Sequence, residues 1–202
     1  MYREGGGMIV VVRHGRTEAN ARGLLLGRLD PALDDEGARL ASALAVACRP
    51  LDIARIVSSP LGRCRQTAAA IGEAASARVA IDERWIELDY GELDGRALAD
   101  LPADMWATWR SDPRWAPPGG EALVDLGARV REACVELVEV AQDRDVVVVS
   151  HVSPIKAAVA WALGVGDEVA WRMWLAPASI TRIGVAGGRP SLRAFNELAH
   201  LG

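Results

Sequence analysis

The sequence predicts an α/β fold: three layers, α/β/α, around a mostly parallel sheet, with a small cap inserted in the middle of the chain. Three observations carry this. Short apolar runs rich in β-branched residues, Met8 to Val12 and Asp145 to Ser150, are too short for helices of their own and read as buried strands. The segments between the strands place apolar residues at helical spacing, so the chain follows the rhythm of βαβ units with helices on both faces of a sheet. Asp82 to Gly120 breaks that rhythm, and its part from Arg96 to Pro118, with Trp106, Trp109 and Trp115 among prolines, reads as the cap.

In chain order, residues 1–7 read as a disordered leader and residues 8–202 as one domain. The first strand stops where charged residues begin, at Arg13-His14-Gly15. In open α/β sheets ligands bind outside the carboxyl ends of the strands, so these residues stand where a pocket is expected. Gly15 permits a sharp turn and close approach of a ligand, and Thr17 and Asn20 offer short polar groups for an anion or for capping. A loop from Leu24 to Leu33 leads to a helix capped by Asp34 or Asp35 and running to about Arg49. Asp52 to Val57 is the second strand. Ser59 is read as the cap of the next helix, with Pro60 at its first position and Arg63 in its first turn. A short strand, Arg78 to Ile81, follows.

After the cap, Leu123, Leu126, Val130, Cys134, Leu137 and Val138 recur at helical spacing, which predicts a long amphipathic helix over Glu121 to Gln142. Asp145 to Ser150 holds four consecutive valines and ends, like the first strand, in a histidine, His151. Pro154 to Leu163 reads as a helix. Ser179 to Val185 and Leu192 to Asn196 read as a strand pair joined at Gly187-Gly188.

Composition narrows the function. With 202 residues, 50% of them hydrophobic, the chain suffices for one domain with a full core. Lys and Arg number 23 against 27 Asp and Glu, without a basic tract, so the footprint of a nucleic-acid binder is missing. No apolar stretch reaches the ~20 residues of a spanning helix, so no membrane partner is expected. Cys48, Cys64 and Cys134 are odd in number and lack a CxxC spacing, which points to buried thiols and a cytoplasmic location.

Two histidines at strand ends, an arginine beside the first and another in a first helical turn suit phosphate, because free helix N–H groups and guanidinium forks both match its oxygens. An imidazole can take a phosphoryl group directly and split one hard displacement into two easier ones.

Arg13-His14-Gly15, with Thr17 and Asn20 in step, resembles the RHGxTxxN signature of the histidine phosphatase superfamily, the phosphoglycerate mutase-like fold. Ser59-Pro60-Leu61-Gly62-Arg63-Cys64-Arg65-Gln66-Thr67-Ala68 resembles that family's SxLxRAxQTA segment, and Glu87-Leu88-Asp89-Tyr90-Gly91-Glu92-Leu93-Asp94-Gly95 its ExDFGxWEG segment. Ser150-His151 ends the expected late strand. The wording His151-Val152-Ser153-Pro154-Ile155-Lys156 is similar to acid phosphatase and α-ribazole phosphatase-like domains of actinobacteria. The resemblance implies that His14 is the phosphohistidine nucleophile. Arg13, Arg63 and His151 would surround the phosphate, with hydrogen bonds from Thr17, Asn20 and the Val152 amide. Glu87 would protonate the leaving oxygen and then activate water.

No cofactor and no metal are implied. The expected substrate is a small phosphomonoester. A cofactor-dependent mutase and a degenerate protein that only binds phosphorylated ligands are the alternatives. Leu98 stands where the mutase segment would carry its lysine, which favours hydrolysis. Selectivity is expected in the cap, at Arg110, Arg114 and its tryptophans, while Trp161, Trp171 and Trp174 fit either a core or a homodimer interface. His200 is read as structural.

Overall fold

A computed structural model of the protein describes residues 6–202. Strands β1 (Met8–Arg13), β2 (Ile53–Ser58), β3 (Val79–Ile81), β4 (Asp145–Ser150), β5 (Ile180–Gly184) and β6 (Ser191–Glu197) form one sheet in the order β3-β2-β4-β1-β5-β6. The three pairings from β3 to β1 are parallel, and β1-β5 and β5-β6 are antiparallel. The sheet is therefore mostly parallel, and its antiparallel end is the hairpin expected through Gly187 and Gly188.

Six α-helices accompany the strands: α1 (Glu18–Ala21), α2 (Asp35–Cys48), α3 (Gly62–Ala75), α4 (Ala103–Ser111), α5 (Leu123–Val140) and α6 (Val152–Leu163). Strand side chains alternate between faces, which divides the core in two. Ile9, Val11, Val146 and Val148 pack with Leu126, Val130 and Cys134 of α5 and Ile155 of α6. Val10, Val12, Val147 and Val149 pack with Leu40 and Leu44 of α2 and Cys64 and Ile71 of α3. All four valines of β4 are fully buried, and each contributes about 1.5–3 kcal/mol of hydrophobic stabilisation. The cap holds a 3-10 turn, Leu98–Asp100, followed by α4.

Asp34 caps α2 as expected, accepting the Gly37 N–H at 2.7 Å. Ser59 does not cap α3, whose N-cap is Leu61 with no side-chain bond, and Pro60 lies outside the helix. The Ser59 hydroxyl is drawn instead to His151, 92 residues away in sequence. Helix α6 begins two residues before Pro154, because a carboxylate from elsewhere in the chain satisfies its first amides. Helix α5 starts at Leu123 rather than Glu121, whose carboxylate is engaged by Arg129. Of the residues read as a leader, 1–5 lie outside the described residues. Gly7 is buried and donates its N–H to the Gln142 carbonyl at 3.1 Å. Among the described residues no helix is long and apolar enough to cross a membrane. All three cysteines are buried and free.

Candidate active site

The register of the two central strands builds the site. Arg13 of β1 pairs with Ser150 of β4, so the residues that follow, His14 and His151, emerge side by side at the carboxyl end of the sheet. The His14 N–H donates to the Ser150 carbonyl at 3.0 Å. His14 Nδ1 lies 2.6 Å from the Gly15 carbonyl, a contact that requires the proton on Nδ1 and leaves a lone pair on Nε2. Burial, with the Arg63 and Arg13 charges, holds this imidazole well below the usual histidine range, so it is neutral at neutral pH. Gly15 is required by close approach, since a Cβ there would run into the Gly37 carbonyl at the start of α2. Its N–H donates to Thr67 Oγ1 at 3.1 Å, which ties the loop to α3.

His151 is fixed at both ring nitrogens. Arg63 Nε donates to Nδ1 at 3.2 Å, which leaves the ring proton on Nε2, 2.7 Å from Ser59 Oγ. Burial and the same cations keep this ring neutral too. Arg63 is itself fully buried, and its Nη groups donate to the carbonyls of Leu29 at 2.7 Å and Gly27 at 2.9 Å. Asp94 holds those carbonyls in place by accepting the N–H groups of Gly27, Arg28 and Leu29. Arg13 donates from Nη1 to the Leu175 carbonyl, while its Nε is buried without a partner. Burial pushes its pKa down to about 10, which leaves it charged at neutral pH.

Glu87 faces the N-terminus of α6. Its Oε1 accepts from the Leu88 N–H at 2.7 Å and the Ser153 N–H at 3.1 Å, and Oε2 accepts from the Val152 N–H at 3.1 Å. A carboxylate there satisfies amides that the helix cannot and meets the positive end of its dipole. The Val152 amide, expected on a phosphate, is thus on Glu87 in this structure. Arg129 of α5 fastens the segment that carries Glu87: its Nη1 donates to the carbonyls of Arg84 and Ile86, its Nη2 to that of Glu87, and its Nε to Glu121.

Arg13, His14, Asn20 and Glu87 line a cavity of about 260 Å³, together with Val152, Ser153 and Lys156 of α6. Leu98, Trp106 and Trp109 close it from the cap, joined by Trp171, which packs edge to face against both tryptophans. Trp106 and Trp109 stack with centroids 5.6 Å apart and face the cavity, whereas Trp115 packs against Trp109 at 5.4 Å and does not line it. Arg63, His151 and Thr17 stand behind its wall. Thr17 and Asn20 form a capping box on α1, with Asn20 Oδ1 accepting from Thr17 and its NH2 group left over. Arg110 lies over the Trp106 ring at 5.3 Å, and neither it nor Arg114 lines the cavity, because α4 turns its tryptophan face inward. Trp171 belongs to the cavity wall, and Trp174 is exposed. His200 Nε2 lies 3.0 Å from the Ala178 carbonyl, a structural contact.

Sequence reading missed Arg129 and Lys156. Both sit on helices among ordinary polar positions, and the one signal available was that Lys156 falls four residues after Val152, on the same face. Among the described residues no group of three or more His, Cys, Asp or Glu is placed to hold a metal ion.

Residues 9–198 match the model of the histidine phosphatase superfamily, branch 1. A bifunctional protein of Mycobacterium tuberculosis is 33% identical over 198 residues, which cover 96% of this chain and 54% of that protein; the chain thus spans about half its length. A glucosyl-3-phosphoglycerate phosphatase of Mycolicibacterium vanbaalenii is 38% identical over 168 residues, covering 77% of this chain and 74% of the other. The solved structure of a mycobacterial glucosyl-3-phosphoglycerate phosphatase with VO3 superposes with a TM-score of 0.87 at 32% identity, covering 95% of this chain and all of that one.

Proposed function

The chain belongs to the histidine phosphatase superfamily, and from that premise we propose that it hydrolyses a small phosphomonoester through a phosphohistidine at His14, without a metal. The observation that carries this reading is the Nδ1–H contact to the Gly15 carbonyl, which leaves Nε2 of a neutral imidazole as the nucleophile at the cavity. Nε2 attacks phosphorus, the P–N bond forms and the ester P–O bond breaks. The Gly15 carbonyl meets the positive charge that develops on the ring. Glu87, in the same cavity lining, gives a proton to the leaving oxygen, then takes one from the water that displaces His14 and releases phosphate. Arg13 offers its unpartnered Nε, and Asn20 its amide, to the phosphoryl oxygens, and the charge of Arg63 stands behind the two histidines. The three buried, unpaired thiols support a cytoplasmic setting.

The test is phosphate release from a panel of phosphomonoesters in EDTA, wild type beside His14→Ala. Release by wild type, an acid-labile phosphoryl-enzyme on quenching, and loss of both in a folded His14→Ala variant are expected. Retained turnover in that variant removes the mechanism, and isomerisation of 3-phosphoglycerate with little release replaces it with a mutase.

A further inference from the structure

Among 23 basic side chains, 22 are arginines, and the one lysine, Lys156, lines the cavity. Arginine supplies the cation in every ion pair among the described residues, while Lys156 makes no ion pair and no side-chain hydrogen bond there. It is half-buried, and desolvation lowers its pKa, opposed by the nearby Glu87 charge. An ammonium drawn out of water without a partner costs free energy that a bound anion offsets.

Its position says which anion. Lys156 lies one turn beyond Val152 on α6, a rise of ~6 Å, and side chains on a helix lean towards its N-terminus, here towards Glu87. Arg13 is the only other permanent cation in the lining and belongs to the His14 end. Apart from Asn20, Glu87, Tyr90 and Ser153, the rest of the lining is largely apolar, with Leu88, Trp106 and Trp171 among it. A single ammonium in such a wall satisfies one carboxylate, whereas a second dianionic phosphate would be left short of donors.

We infer that Lys156 determines specificity by holding a carboxylate one or two carbons from the phosphoester, so that phosphorylated small acids are preferred over phosphate esters that carry no carboxylate. This rests on the phosphatase reading above. The test compares kcat/KM for 3-phosphoglycerate and for glycerol 3-phosphate, which carries the same ester without the carboxylate. In Lys156→Met the ratio of the two falls by about tenfold or more, the scale of one charge-assisted hydrogen bond, and Lys156→Arg restores part of it. An unchanged ratio in the folded methionine variant overturns the assignment.

A second arm does not depend on turnover. In His14→Ala, an amine-selective acetylating reagent is applied and modification of Lys156 is read by mass spectrometry, with 3-phosphoglycerate or glycerol 3-phosphate present. Protection by 3-phosphoglycerate, and much less by glycerol 3-phosphate, supports the assignment. Equal protection by both overturns it. Should wild type hydrolyse no ester, the phosphatase reading falls while this arm still decides the role of Lys156.

Discussion

His14 and His151 meet edge to face, their ring centroids 5.1 Å apart and their planes at 62°, in a site that already holds the charges of Arg13 and Arg63. A proton on either ring would add a third positive charge to a buried cluster. Both imidazoles are therefore held neutral far below the range in which a histidine in an unfolded chain titrates.

This relationship predicts how stability depends on pH. The unfolded chain binds protons at its histidines near pH ~6.5, and the folded chain does so only at much lower pH, so stability is complete above that value and falls as the pH drops. The slope approaches about 2.7 kcal/mol per pH unit for two protons. His200 is shifted in the same direction and adds to it. Urea unfolding between about pH 7.5 and pH 5 measures the slope, and His14→Gln with His151→Gln flattens most of it. A wild-type profile as flat as that of the double variant would show that the two rings titrate normally.

Glu87 lies across the first amides of α6, so a change there has two separable effects. Glu87→Gln removes the transferable proton and turns an NH2 group against an N–H donor of Val152, Leu88 or Ser153. The second effect costs about 1–3 kcal/mol, read as a lower Tm. The first lowers kcat by ~10²-fold or more on alkyl phosphates, whose leaving oxygens need a proton, and by less on aryl phosphates. Equal losses on both classes would make Glu87 a helix cap and nothing more.

The sheet was legible because β1 and β4 are buried on both faces and so carry uninterrupted valines, a pattern written within each strand. The two histidines were legible for the same reason, as the polar residues that end those runs. The capping of α3 and α6 was not. Ser59 before Pro60 has the local look of a cap, but its hydroxyl is claimed by His151 across the fold. The start of α6 was placed late because its cap comes from Glu87, 65 residues upstream, and leaves no local trace. Arg129 and Lys156 escaped notice because a helical basic residue reads as solvated until its neighbours in space are known. Arg110 was overvalued for the converse reason, since its sequence neighbours are cap tryptophans and its guanidinium spreads over one of them instead of reaching the cavity.

Arg129 supplies the last prediction, because it ties the geometry of the acid to α5. Its guanidinium serves the carbonyls of Arg84, Ile86 and Glu87 and pairs with Glu121 at 2.7 Å, with both partners largely buried. Arg129→Met takes the guanidinium from three carbonyls and leaves the Glu121 carboxylate only the Asp89 N–H at 3.4 Å and Arg28 at 3.7 Å, and a loss of about 3 kcal/mol in stability is expected from breaking such a pair. The catalytic effect separates positioning from simple fastening. Arg13, His14 and Asn20 do not depend on Arg129, so KM changes little, while displacement of the Glu87 carboxyl lowers kcat on alkyl phosphates by about tenfold or more. Aryl phosphates, which need less help from an acid, lose less. Measured well below the variant's Tm, an unaltered ratio of alkyl to aryl turnover would show that Arg129 holds the chain together without aiming Glu87, and a fall in that ratio would place it in the line of residues that bring the acid to the leaving oxygen.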